Sequence, residues 1–130
     1  MATRSTIGMV LEDGQTIRSV YCHFDGYPEG VGVVLKDHYN DTATIENLLD
    51  LGDLSVLDVE IGEKQDFDQR TEGHCLFYGR DRGEDGIDAL VHANTDEWLG
   101  FRKGSWCEWG YLWDGKSWNT FKITGEYANA

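Results

Sequence analysis

The sequence has few prolines, few basic residues and no long apolar run, and each shortage excludes a class of protein. Pro28 is the single proline among 130 residues, which excludes a proline-rich linker or a collagen-like chain. No apolar run approaches the roughly 20 residues of a membrane-spanning helix. The polar segment "TRST" and Gly8 interrupt any apolar region that could serve as a signal peptide. We therefore expect a protein that stays in the cytoplasm where it is made.

Motifs for metals, nucleotides and covalent catalysis are also missing. The three cysteines, Cys22, Cys75 and Cys107, are an odd number at wide spacings, which favours reduced thiols over disulfides. Cys22 and His23 would point to opposite faces of a strand, and no C-x-x-C spacing occurs, so we expect no metal site. The sequence contains neither G-x-x-x-x-G-K-[ST] nor G-x-S-x-G. We expect no cofactor and no catalytic residues.

Acidic residues dominate the charge that is present. Asp and Glu number 24 against 11 Lys and Arg, a formal net charge of −13. Such a chain repels nucleic acid and anionic membranes, so its expected partner is a host protein with a basic surface. Residues 37–68 contain ten acids and one base, Lys64, and these carboxylates are expected on the solvent side of two helices, either as a solvated face or as a partner surface. The predicted partner-binding residues are Asp37, Asp41, Glu46, Asp50, Asp53, Asp58, Glu60 and Glu63.

A β-hairpin is predicted at residues 5–24, because two β-rich runs flank Asp13-Gly14. A two-residue loop there requires a positive φ at Gly14. In this register, Ile7 shares one face with Val20, Met9, Leu11 and Cys22. Val10, Ile17, Tyr21 and His23 share the other face.

A second hairpin is predicted around Asp114-Gly115. One of its faces carries four aromatic residues, Trp109, Tyr111, Trp113 and Trp118, and the other carries Leu112, Phe121 and Ile123. The aromatic face is either exposed for binding or buried because the hairpin is covered on both sides. The sequence leaves both alternatives open.

Helices are predicted between the hairpins. "DGYPEG" is typical of a turn, and a helix with Val31, Val34, Leu35 and a partly buried His38 follows. Asp41 is expected to cap a second helix that ends at Gly52. "HCLFYGRDRGEDG" indicates a strand and a charged loop, "DALVHAN" another strand, and Asn94 the cap of a third helix. The predicted fold is a single α+β domain, an antiparallel sheet built from N- and C-terminal hairpins and covered by two or three short helices.

Two further functions remain as alternatives to a partner-binding protein. The first is a small-ligand-binding protein, such as a nucleotide sponge, in which the four aromatic residues of the second hairpin stack a base and arginines hold its phosphate. Its arginines would be Arg18, Arg80 and Arg82. The second is a small enzyme that uses His23 and Asp25, which share a strand face.

Five segments of the chain resemble a known group of sequences. They are "MATRSTIGMVLEDG", "RSVYCHFDGYPEGVG", "IENLLDLGDLS", "FYGRDRGE" and "YLWDGKSW". In this order they resemble a family of small proteins encoded by tailed bacteriophages and mobile elements. The resemblance implies an accessory protein that acts in the cytoplasm of the infected bacterium. By analogy with small acidic phage proteins, the leading hypothesis is an inhibitor of a host factor, such as an anti-CRISPR or antirestriction protein whose carboxylates imitate nucleic acid.

Overall fold

The structure is a computed structural model and describes residues 2–123. Within this range, seven strands and four α-helices form an α+β fold, as predicted. The strands are β1 (Ser5–Val10), β2 (Ile17–Cys22), β3 (Leu54–Val56), β4 (Leu76–Phe77), β5 (Leu90–His92), β6 (Trp109–Trp113) and β7 (Trp118–Lys122). The helices are α1 (Val33–His38), α2 (Thr42–Asp50), α3 (Tyr78–Arg82) and α4 (Thr95–Gly104).

The strands form one mixed sheet in the order β4-β3-β2-β1-β6-β7, with β5 also paired to β2. The predicted antiparallel sheet is therefore wrong in part, because β1 pairs in parallel with β6 and β2 pairs in parallel with β3. Each hairpin pattern specifies its own internal pairing. The direction in which one hairpin docks on the other depends on the connection between them, which no local pattern encodes.

The first hairpin has the predicted register, in which Val10 pairs with Ile17. In the second hairpin Trp113 pairs with Trp118, so these two tryptophans share one face, as predicted. The first loop is longer than predicted, because Leu11 N–H bonds the carbonyl of Thr16 (2.8 Å) and four residues lie between them. Gly14 has a φ of +73°, which confirms its predicted conformation.

Both faces of the sheet are covered by helices. Ile7, Val20 and Cys22 pack on the side of α1 and α2, whereas Ile17 packs with Trp98 of α4 on the other side. The predicted division of the first hairpin into two faces is thus confirmed. The buried positions explain why both strand faces of each hairpin are largely apolar.

Local signals place the long helices correctly and miss shorter features. The Asp41 side chain accepts a hydrogen bond from Thr44 N (3.0 Å) at the start of α2, and the Asn94 side chain caps α4. The second half of the predicted turn over residues 25–30 belongs to a π-helical turn, Pro28–Gly32. The predicted charged loop after β4 begins with α3. His38 is exposed rather than partly buried.

Candidate partner-binding groove

Six of the eight predicted acidic residues are exposed, and two serve the fold. Asp53 is partly buried, and its carboxylate accepts a hydrogen bond from Tyr21 N (2.8 Å). Asp58 accepts from Arg70 (2.9 Å) and from Val59 N (2.8 Å). The expectation that all eight carboxylates face solvent is wrong for these two.

Asp53 closes a gap along the edge of β2. The short strand β5 pairs with residues 17–19 of β2, and β3 pairs only with Cys22. Tyr21 N–H lies between these contacts and takes the Asp53 carboxylate as its acceptor. Burial raises the pKa of Asp53. The carboxylate therefore replaces a ladder hydrogen bond that no neighbouring strand supplies.

The exposed acids do not form one helical face over residues 37–68. Asp37, Asp41, Glu46 and Asp50 belong to α1, α2 and the link between them, whereas Glu60 and Glu63 lie in a loop that follows β3. Asp50 is paired with Arg18 (2.7 Å). Glu60 lies 3.3 Å from His74. The predicted surface is thus divided, because the chain leaves the helices after Asp50.

The arginines predicted to hold a phosphate are engaged within the protein. Arg80 is largely buried, pairs with Asp81 (2.9 Å) and donates to the carbonyls of Ile61 and Gly62. Arg82 lies over the rings of Phe67 and Tyr78 and pairs with Glu84. Arg18 is held by Asp50. These arginines do not provide the free anion clamp that the ligand-binding alternative requires.

The aromatic face of the second hairpin is core rather than an exposed stacking surface. Tyr111, Trp113 and Trp118 are buried, and Trp109 is partly buried. Their polar atoms tie the sheet to the helical side: Tyr111 Oη donates to Gly26 O (2.6 Å), Trp113 Nε1 to Thr42 Oγ1 (3.0 Å) and Trp118 Nε1 to Tyr39 O (2.7 Å). Of the two alternatives left open, burial on both faces is the one found.

His23 and Asp25 have different partners from those a small acid–base site would need. His23 Nδ1 lies 2.7 Å from the Tyr21 hydroxyl, and the Asp25 carboxylate accepts from the Tyr27 hydroxyl (3.1 Å). Burial lowers the pKa of His23 and raises the pKa of Tyr21 to about 12. This arrangement gives the enzyme alternative no support.

A groove at one end of the sheet brings together carboxylates from three elements. Its walls carry Glu12 and Asp13 from the first hairpin loop, Asp114 from the second and Glu46 from α2. Its volume is about 680 Å³, and none of the ten described residues that line it is basic. The apolar part of the lining is Met9, Val10 and Leu11. We call this feature the acidic groove.

The acidic groove follows from the parallel pairing of β1 with β6. Because the two strands run in the same direction, the hairpin loops that follow them lie at the same end of the sheet. The hydrogen bond from Trp113 Nε1 to Thr42 Oγ1 then attaches the start of α2 beside these loops. Only Glu46 of the groove was among the predicted binding residues. Both Asp-Gly loops were predicted from the sequence, but their proximity in the fold was not.

Two of the four carboxylates also hold their loops. Asp13 accepts from the Thr16 hydroxyl and from the backbone N–H groups of Gln15 and Thr16. Asp114 accepts from the N–H groups of Ser117 and Lys116 (2.9 Å each). These hydrogen bonds lower the pKa of both aspartates, chiefly the Thr16 hydroxyl for Asp13 and Ser117 N–H for Asp114. These two aspartates therefore stay charged to a lower pH than an unperturbed aspartate does.

A buried polar cluster lies on the opposite side of the sheet, between β2 and α4. Arg102 is 3% exposed and donates to the Ser19 hydroxyl (3.0 and 3.1 Å) and carbonyl (3.1 Å). The Ser19 hydroxyl also lies 2.8 Å from His92 Nε2. Burial and the neighbouring Arg102 lower the pKa of His92. Burial also lowers the pKa of Arg102, and the Asp53 carboxylate offsets part of this effect by favouring the charged guanidinium group. Sequence analysis missed this cluster, because its members come from four separate segments.

Comparison with known proteins identifies no family for this chain. No protein-family model, no curated protein and no solved structure matches the chain. Among residues 2–123, no helix is long and apolar enough to span a bilayer. The same residues contain no cluster of three His, Cys, Asp or Glu side chains suited to a metal ion.

Proposed function

We propose that this protein is a phage accessory protein that binds a basic surface of a host protein in the bacterial cytoplasm and blocks it. The observation that carries the proposal is the acidic groove, in which four carboxylates from three elements surround an apolar lining without a basic residue. More specifically, the proposed host protein belongs to a defence system, and this protein would be an inhibitor of the anti-CRISPR or antirestriction kind. The proposal involves no catalytic step and no cofactor.

The groove suits an arginine or lysine side chain of the partner. The methylene stem of such a side chain packs on apolar surface while its charged end stays in a polar environment. Met9, Val10 and Leu11 would contact the stem, and the carboxylates would accept hydrogen bonds from the guanidinium or ammonium group. A partner that normally binds phosphates offers many such side chains, so the carboxylates would take the place of phosphates.

The charge of the whole chain supports fast encounter with this partner. The net charge is −13, and several of the few basic residues are already paired internally, such as Arg18, Arg70 and Arg82. Each of these pairs also neutralises one carboxylate, so the excess negative charge of the chain is carried by acids without a basic partner. Opposite charge on the partner raises the association rate by about 10- to 1000-fold, and salt reduces this gain.

The test compares charge reversal inside the acidic groove with the same reversal outside it. Glu12→Lys together with Glu46→Lys changes the formal charge of the groove from −4 to 0, because each reversal adds two charges. Both side chains are exposed, and neither accepts a hydrogen bond within the described residues. The control, Glu72→Lys with Asp85→Lys, changes two other exposed carboxylates and the net charge by the same amount.

The partner is first captured from a bacterial lysate with the wild-type protein, and binding of the purified partner is then measured at several salt concentrations. We expect the groove variant to lower the association rate at least about tenfold at low salt, with a smaller effect on dissociation. The control should stay within about twofold of wild type. Equal losses in both variants would show that only net charge matters, and the groove would not be the binding site.

A further inference from the structure

The chain contains four Asp-Gly pairs, and the structure places them in different surroundings. They are Asp13-Gly14, Asp25-Gly26, Asp85-Gly86 and Asp114-Gly115. Such a pair can rearrange without an enzyme, because glycine has no Cβ to obstruct its nitrogen as it approaches the preceding carboxyl group. The glycine nitrogen attacks the aspartate Cγ, a C–N bond forms, and a C–O bond of the carboxyl group breaks with loss of water. The product is a cyclic imide.

Water then opens the imide and completes the rearrangement. Opening at the α-carbonyl carbon breaks its bond to the glycine nitrogen, so the main chain now runs through Cβ and Cγ and the α-carboxylate becomes a side group. The product is isoaspartate, and the water lost in the first step is regained in the second. Ring closure therefore needs a carboxyl group that is free to be protonated and a glycine N–H that is not held by another acceptor.

Hydrogen bonds hold both reacting groups of Asp13-Gly14. The carboxylate accepts from the N–H groups of Gln15 (2.9 Å) and Thr16 (2.8 Å) and from the Thr16 hydroxyl. Gly14 N donates to Leu11 O (3.0 Å). The bonds to the carboxylate, chiefly that from the Thr16 hydroxyl, lower the pKa of Asp13, so less of the protonated form is present. Ring closure here has to wait until the loop opens.

The Asp114 carboxylate is held in the same way. Its Oδ1 accepts from the N–H groups of Lys116 and Ser117, at 2.9 Å each, and its Oδ2 accepts from Asn119 Nδ2 (3.1 Å). These bonds, chiefly that from Ser117 N–H, lower the pKa of Asp114. Both carboxylate oxygens must therefore lose their donors before one of them can leave as water.

At Asp25-Gly26 the glycine nitrogen is held and its surroundings are packed. Gly26 N donates to Thr3 O (2.8 Å), and the Asp25 carboxylate accepts from the Tyr27 hydroxyl (3.1 Å). Gly26 is buried, and a Cβ on it would lie 2.7 Å from Ser5 Cβ. The backbone at Gly26 consequently has no room to turn its nitrogen toward the carboxyl group.

Asp85-Gly86 meets both requirements. The pair lies in the segment between α3 and β5, and both residues are exposed. Within residues 2–123, neither the Asp85 carboxylate nor Gly86 N–H has a hydrogen-bond or ion-pair partner. A Cβ on Gly86 would meet no atom within 4 Å. We infer that Asp85-Gly86 forms isoaspartate in the folded protein, whereas the fold protects the other three pairs.

The fold can accommodate this modification, which adds one carbon atom to the main chain at Asp85. The segment is anchored on both sides, because Glu84 N donates to a carbonyl of α3 (3.1 Å) and Ile87 O accepts from Asp53 N (2.8 Å). The open space around the intervening glycine leaves room for the longer chain. The new α-carboxylate is a substrate for protein carboxyl methyltransferases that use S-adenosylmethionine. This inference does not depend on the proposed function.

The test measures isoaspartate at each pair while purified protein is stored at neutral pH, below its melting temperature. Trypsin places the four pairs on four different peptides, and mass spectrometry with electron-transfer fragmentation distinguishes isoaspartate from aspartate in each. We expect Asp85 to convert at least about tenfold faster than any other pair, because the others react only after hydrogen bonds or packing are broken. Conversion at Asp13, Asp25 or Asp114 as fast as at Asp85 would overturn the inference.

Two controls separate the effect of the fold from that of the local sequence. In guanidinium chloride all four pairs should convert at comparable rates, since glycine follows each aspartate and no folded structure protects any of them. If Asp85 leads by the same factor in denaturant, or converts only there, the inference is wrong. The variant Asp85→Glu keeps the charge but would need a larger ring. Native Asp85→Glu protein should therefore lose most of the isoaspartate that an isoaspartyl methyltransferase labels in the wild type, and unchanged labelling would contradict the assignment.

Discussion

Replacing Arg102 by methionine tests whether the buried cluster between β2 and α4 is required for stability. Methionine keeps most of the unbranched stem and removes the guanidinium group. The Ser19 hydroxyl and carbonyl then lose three hydrogen bonds of 3.0 to 3.1 Å. The nearby Asp53 carboxylate, which favours the charged form of Arg102, loses this positive neighbour. Because Arg102 is 3% exposed, water cannot readily replace these interactions.

The expected loss in the free energy of unfolding is large, because breaking a buried polar contact costs more than the intact contact contributes. Removing one member of a buried charged network costs about 3–5 kcal/mol, because its partners stay buried without compensation. The methionine side chain recovers some packing, which places the estimate near the lower end, at about 3 kcal/mol. That is a large part of the roughly 5–15 kcal/mol that stabilises a typical domain.

Urea unfolding followed by circular dichroism measures this loss. The control is Lys36→Met, which makes the same kind of change at an exposed position of α1 and should alter the free energy of unfolding by less than about 0.5 kcal/mol. Adding Asp53→Asn to Arg102→Met should recover part of the loss, since it removes the uncompensated carboxylate. A loss below about 1 kcal/mol for Arg102→Met would refute the argument.

Three further predictions concern single features of the fold. The pKa of His92 is lowered by burial and Arg102, so the unfolded chain binds a proton more readily and stability should fall as pH drops below about 6.5. Unfolding by urea between about pH 7.5 and about pH 5.5 should show a shallower decline for His92→Gln than for wild type or for the exposed control His38→Gln. Asp41→Ala removes the cap of α2 and should lower the free energy of unfolding by about 1 kcal/mol, whereas an unchanged value would mean that the cap is dispensable. The three cysteines, Cys22, Cys75 and Cys107, are buried and form no disulfide. Native protein should therefore react slowly with a thiol reagent, and rapid labelling would contradict their burial.

The features that sequence predicted correctly are those encoded by neighbouring residues. Asp13-Gly14 and Asp114-Gly115 place both hairpin loops, and Asp41 and Asn94 place the starts of α2 and α4. In each case the turn or cap uses hydrogen bonds within about four residues, so a short pattern contains the whole signal.

The site was harder to predict, because the role of a charged residue depends on distant neighbours. Arg80 was expected to be free, but its guanidinium reaches the carbonyls of Ile61 and Gly62, which lie 19 and 18 residues earlier. Asp53 was expected at the surface, but it is needed by Tyr21 N–H, 32 residues earlier. The acidic groove likewise needs two loops that are about a hundred residues apart. No local pattern reports such contacts.

The parallel pairing of β1 with β6 also constrains when the protein can fold during synthesis. Ser5 pairs with Trp109, so β1 lacks this neighbour until about a hundred more residues have been made. At roughly 5–20 residues per second, the first hairpin waits about 5–20 s for its partner strand. Contacts so distant along the chain also slow the folding step itself. A truncated chain that ends before residue 109 would leave the β6-facing edge of β1 unpaired, and such an edge can recruit strands from other chains. Completion of the sheet therefore occurs late in synthesis, when the second hairpin has emerged.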